Sequence, residues 1–105
     1  MRAVAEIKGE KMKKFMFIYN ASNDVDSNDA WMSWFTAITP HVVDMGSEFN
    51  GGKIVTSSGA KDITEWSDFV GGYTLINAAD MDAAVALAKG CPNKAGVRVF
   101  ETMPM

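Results

Sequence analysis

From Lys14 to Asn20 apolar side chains alternate between two faces, Phe15, Phe17 and Tyr19 on one and Met16 and Ile18 on the other, which predicts a strand. Both faces are apolar, so both need cover. Asn20 to Ser27 is polar and rich in turn residues, and reads as a loop. A helical period follows. Trp31, Phe35, Ile38, Val42 and Met45 recur at spacings of four and three, one stripe of a helix from about Asn28 to Met45, with Trp34 at its border. Ser27 suits its N-cap, Asp29 its positive end and Gly46 its stop. Pro40 interrupts the stripe. Inside a helix it removes one hydrogen bond and crowds the carbonyl of Thr36, at about 3 kcal/mol. The unbroken stripe predicts a kinked helix; the other solution is a new turn capped by Thr39, with Pro40 at its first position.

Ser47 to Gly52 reads as a turn, Lys53 to Ser57 as a short strand, and Ser58 to Trp66 as a polar connection. Val70 to Ala78 is the next strand, and Gly71-Gly72 inside it predicts a bulge or a close backbone approach. Asp80 caps a second helix that buries Met81, Ala84, Val85 and Ala88, flanked by Leu87, and that Gly90 and Pro92 end. Val97 to Met103 is the last strand. Strand, helix, strand, strand, helix, strand is the split pattern of a ferredoxin-like βαββαβ fold, an α+β class with an antiparallel sheet. Two helices cover one face of such a sheet. Burying a Phe or Ile is worth about 1.5–3 kcal/mol, so the other face predicts a homodimer through stacked sheets.

Composition narrows the classes. With 105 residues there is room for one core, and 48% apolar residues argue against disorder. Residues 1–11 carry charges at Arg2, Glu6, Lys8, Glu10 and Lys11 and no apolar signal-peptide core. They read as an N-terminal extension of little structure before a domain at 12–105; an edge strand from Ala3 to Ile7 is the alternative. No apolar run approaches the roughly 20 residues of a membrane helix. A lone cysteine, Cys91, forms no internal disulfide, which predicts a reducing, cytoplasmic setting. The net charge is −3, and basic residues concentrate only in the first 14 positions, which disfavours nucleic acid or an anionic membrane as partner.

Several short motifs carry a family resemblance. They are Lys13-Lys14-Phe15-Met16-Phe17-Ile18-Tyr19-Asn20, the pair Trp31 and Trp34, and Val43-Asp44-Met45-Gly46 followed by Gly52-Lys53. Gly72-Tyr73-x-Leu75-Ile76, Asp80-x-Asp82-Ala83-Ala84, Ala88-Lys89-Gly90-Cys91-Pro92 and Val99-Phe100-Glu101-x-Met103-Pro104-Met105 continue the series. Across about positions 12–105 the chain resembles the YCII-related family, also called DGPF-domain proteins. The resemblance implies ferredoxin-like subunits in a dimeric α+β barrel, and no single activity. Some members pair a His early in the first helix with an Asp. That His would fall near Asp29 or Ala30, where this chain has none, and Ser67-Asp68-Phe69-Val70 stands where the Asp-Gly-Pro-Phe motif would be.

The candidate chemistry is thin. His41 is the single histidine, and Asp44 lies three residues on. On one helix face the two would form a general base and its orienting carboxylate; the plainer reading is a solvent-facing His beside Pro40. One His and one Cys predict no metal site and no cofactor. Cys91 falls at a helix C-terminus, the wrong end to activate a thiolate, and reads as a packed residue. Phe17, Tyr19, Trp31, Trp34 and Tyr73 suggest a pocket for a small organic ligand near the end of the first strand, with the two phenols as polar tips and Asp68, Ser57 and Ser58 at its mouth; for each aromatic alone the plainer reading is core. RNA-recognition domains share the strand order, but they need a basic sheet, and no Lys or Arg lies between Val70 and Leu87. Two functions stand: a cytoplasmic homodimer that binds a small molecule, enzyme or not, and a non-catalytic interaction module.

Overall fold

The computed structural model describes residues 12–22, 27–65 and 68–103. The expectation for residues 1–11 falls outside them, as do Trp66 and Ser67. The elements are β1 (Lys13–Asn20), α1 (Asn28–Ile38), a 3-10 turn (Thr39–His41), β2 (Val42–Asp44), β3 (Lys53–Thr56), β4 (Gly59–Asp62), β5 (Val70–Ala78), α2 (Met81–Ala88) and β6 (Val97–Glu101). Four strands form one antiparallel sheet in the order β2-β5-β1-β6, and β3 and β4 form a separate two-stranded sheet. The class is α+β.

Phe15, Phe17 and Tyr19 of β1 are buried, as are Thr74, Ile76 and Ala78 of β5. They face the helices, with Trp34 and Ile38 of α1 and Ala84 of α2 closing the core above them. The opposite face carries Met16 and Ile18 of β1, Leu75 and Tyr73 of β5 and Phe100 of β6, in register across the strands. No helix lies on it among the described residues; Phe49 packs on Tyr73 at one end, Met16, Ile18 and Leu75 are half-buried, and Phe100 is 53% exposed. The shortest dimension of the fold, 19 Å, matches one sheet and one layer of helix.

Three expectations are corrected. The first helix does not run to Met45. It ends at Ile38, and Pro40 sits in the first turn of the 3-10 segment, where its missing N–H costs nothing. Thr36 and Thr39 direct their hydroxyls back to the carbonyls of Met32 (2.8 Å) and Phe35 (2.7 Å) in the last turns. The β-branched pair Val42-Val43 then enters β2. Second, Lys53–Thr56 is not a strand of the main sheet. It pairs with Gly59–Asp62, part of the expected polar connection, and Val42–Asp44 takes the sheet edge beside β5 instead. Third, neither sheet closes on itself, so the expected barrel is overturned; the expected six-element order is also extended, a separate β3–β4 hairpin standing between the second and third strands of the main sheet.

Local signals explain the rest. Ser27 caps α1 by accepting from the Ala30 N–H at 3.2 Å, and Asp80 caps α2 by accepting from the Ala83 N–H at 2.8 Å. Gly90 does not end α2 through a left-handed turn; Trp34 lies against it, and an added Cβ would sit 3.1 Å from the indole. The bulge is real and falls at Gly71, left unpaired where Tyr19 pairs with Gly72 and Asn20 with Val70, while at Gly72 an added Cβ would stand 2.5 Å from the Ser47 carbonyl oxygen. The chain past β2 therefore runs tight against β5, with Tyr73 N–H donating to the Ser47 carbonyl (3.2 Å) and Phe49 N–H to the Gly71 carbonyl (3.0 Å).

Candidate functional site

Where β1 ends and β5 begins, the sheet opens into a cleft of about 580 Å³. One wall is the first two turns of α1, through Asn28, Trp31, Met32 and Phe35. The floor is Tyr19, Thr74 and the Gly71-Gly72 backbone, and the far rim is the segment Met45 to Glu48. Asn20, Ser22 and Asn93 close one end. The rim stands there because Pro40 stopped the helix and let Val42–Asp44 pair with β5.

The aromatic packing is layered. Trp34 stacks over Phe17 at 6.1 Å between ring centres, and its indole N–H donates to the Leu87 carbonyl at 3.0 Å. Both residues are buried in the core and neither lines the cleft. Trp31 lies one layer further out, edge-on to Tyr19 at 5.4 Å and tilted against Phe35 at 5.5 Å, and these three rings face the opening.

A hydrogen-bond chain orders the floor. The Thr74 hydroxyl donates its one proton to the Met45 carbonyl at 2.8 Å, so the Tyr19 hydroxyl is the donor in its 2.6 Å contact with Thr74 Oγ1. Burial pushes the Tyr19 phenol up to about 12, helped by nearby Cys91, so it stays neutral at ordinary pH. Burial likewise lifts Cys91 to about 11, which leaves it an inert thiol. At the closed end the Asn93 side-chain amide donates to the carbonyls of Asn20 (2.9 Å) and Gly96 (3.0 Å), and the Asn20 amide donates to the Ala95 carbonyl at 2.9 Å. Asn20 Oδ1 is buried with no partner.

Of the expected ligand-binding residues, the cleft gathers Tyr19, Trp31 and Tyr73. Tyr73 belongs to it only in part. Register sets its side chain beside Ile18 on the uncovered sheet face, where its hydroxyl donates to Asp44 Oδ2 at 3.0 Å and its ring lies 5.9 Å from that of Phe49. That bond to a carboxylate, and the carboxylate's charge, raise the Tyr73 phenol above its usual value. Asp68, Ser57 and Ser58 are exposed and absent from the lining. His41 and Asp44 do not share a helix face, because the helix has ended; the Asp44 carboxylate instead takes the Gly46 N–H at 2.9 Å and the Tyr73 hydroxyl. No three His, Cys, Asp or Glu side chains converge as metal ligands among the described residues, and no helix there is long and apolar enough to cross a membrane.

Sequence reading missed Phe35, Asn20, Thr74 and the Met45–Glu48 rim. Phe35 was legible as part of the stripe with Trp31; the rim was not, because its position depends on which strand takes the sheet edge. Compared with protein-family models, curated proteins and solved structures, the chain matches none. The resemblance to YCII-related proteins is thereby corrected: it rests on short motifs that no family model supports, and the barrel it implied is absent.

Proposed function

We propose that the chain binds a small, largely apolar organic molecule in the cleft beside Tyr19 and Trp31. One observation carries the reading: about 580 Å³ of open space lies over three aromatic rings, with polar groups converging on it from five segments. The neutral phenol and the internally satisfied Thr74 fit recognition better than bond-breaking. A thermal-shift screen of small organic compounds tests it. A ligand held at a hundred times its dissociation constant adds about 2.7 kcal/mol of stability, and the gain is expected to vanish in Trp31→Ala. Compounds that bind W31A as well as the parent chain, or a broad library with no hits, would sink the reading.

A second reading, that two copies associate through the uncovered sheet face, is favoured by a different observation. Met16, Ile18, Leu75 and Phe100 form an apolar row there, and the hairpin β3–β4 has every residue exposed and packs chiefly on itself. A lone hairpin is marginal in water, and an apolar face of this kind draws a partner. Sedimentation at micromolar concentration is expected to report twice the 11.4 kDa of one chain, and Phe100→Glu to restore the single chain. An 11.4 kDa species from the parent protein would rule the association out.

A further inference from the structure

We infer that the cleft selects an organic cation, a protonated amine on an apolar body. The inference rests on the reading of the cleft as a ligand site and adds the chemistry of the ligand.

Two features of the lining point the same way. The first is charge. Among the described residues Glu48 is the one Asp, Glu, Lys, Arg or His on the lining. Lys94 follows Asn93 in the chain but is not part of it. The start of α1 at Asn28 opposes this, with about half a positive charge; Ser27 caps that end and Asp29 stands in its first turn.

The second is the direction of the hydrogen bonds. The donors at the floor and the closed end are largely spent on the protein itself. Thr74 gives its proton to Met45, Tyr19 gives its own to Thr74, and the Asn93 amide is shared between Asn20 and Gly96. What remains on these groups is acceptor capacity, on Tyr19 Oη, on the Glu48 carboxylate and on the unpartnered Asn20 Oδ1 deeper in the wall. Trp31 Nε1–H, the Asn28 amide and the Ser47 hydroxyl remain as neutral donors, but a carboxylate or phosphate would meet no cationic side chain among the described lining residues, whereas an ammonium group meets the Glu48 carboxylate. The rings complete the fit. Tyr19 and Trp31 pack edge to face at 5.4 Å and leave no room between them, so a cation would lie on the outer side of the half-buried Trp31 and Phe35 rings.

Three compounds of near-equal shape separate the possibilities: phenethylamine, phenethyl alcohol and hydrocinnamate, titrated calorimetrically at low ionic strength. The amine is expected to bind at least about ten-fold more tightly than the alcohol, a margin that cation–π attraction and one carboxylate can supply, and hydrocinnamate more weakly than either. In Glu48→Gln the advantage of the amine over the alcohol is expected to fall below about three-fold. Equal binding of amine and alcohol, tighter binding of hydrocinnamate, or an undiminished preference in E48Q would overturn the inference and leave the cleft as a ligand site. Failure of all three compounds to bind would count against both.

Discussion

Gly46→Ala is expected to cost the fold about 4 kcal/mol, the range of mutational losses reserved for a named structural conflict. Gly46 has φ +78°, a conformation that a side chain disfavours by about 1–2 kcal/mol, and a Cβ there would lie 1.9 Å from the Tyr73 carbonyl oxygen. Backbone cannot yield as a flexible side chain does. Relieving the overlap means pulling the rim away from β5, which disrupts the Tyr73 N–H to Ser47 bond, the Gly46 N–H to Asp44 bond and the bond from Thr74 to the Met45 carbonyl. Gly51 supplies the control. Its φ, +79°, is nearly the same, but a Cβ there meets nothing within 4 Å. Gly51→Ala therefore isolates the conformational cost, about 1–2 kcal/mol. Urea unfolding of both variants measures the difference. Equal losses would mean that the rim does not press on β5, and the cleft would lose its far wall.

How far the sequence carries depends on whether a signal is local. The alternation of β1, the span of β5, the Ser27 and Asp80 caps and the apolar content of the stripe are properties of neighbouring residues, and the fold uses them where they stand. The stripe misleads at its end. Val42 lies four residues after Ile38 whether it continues a helix or begins a strand, and in both cases it faces the core; only the pairing of Val42 with Ile76 decides, and that contact is remote in sequence. Gly59–Asp62 has little β-propensity of its own and forms a strand because a tight turn folds it back on Lys53–Thr56, where Thr56 Oγ1 accepts the Ser58 N–H at 3.1 Å. The open sheet could not be read at all from one chain's periodicity, since an apolar second face predicts the need for cover and not the shape of what covers it. The site follows the same rule. Tyr19 and Trp31 were legible from strand alternation and helical spacing, while Tyr73 differs because the strand period turns its ring away from Tyr19.

Trp34→Ala is expected to be comparably severe, at about 3–5 kcal/mol, and to sort the aromatic cluster into its two layers. The indole touches Phe17, Tyr19, Trp31 and Phe35, with ring centres 5.4–6.1 Å away, and ties α1 to the last turn of α2 through the Leu87 carbonyl. Removing it opens a cavity between three elements and leaves that carbonyl to the longer bond from the Gly90 N–H, at 3.4 Å. Trp34→Phe keeps most of the packing and loses the hydrogen bond, for about 1–2 kcal/mol. Trp31→Ala removes a ring that is only half-buried, so the expected loss is about 1–2 kcal/mol, with the fold intact and ligand binding gone. The pattern to measure is thus a crossing: W34A destabilises strongly, and W34F retains the cleft's ligand, while W31A changes stability little and abolishes binding. Thermal unfolding followed by circular dichroism, with calorimetric titration of each folded variant, reads both axes. If W31A proved as destabilising as W34A, Trp31 would belong to the core, and the cleft would have no aromatic wall to bind with.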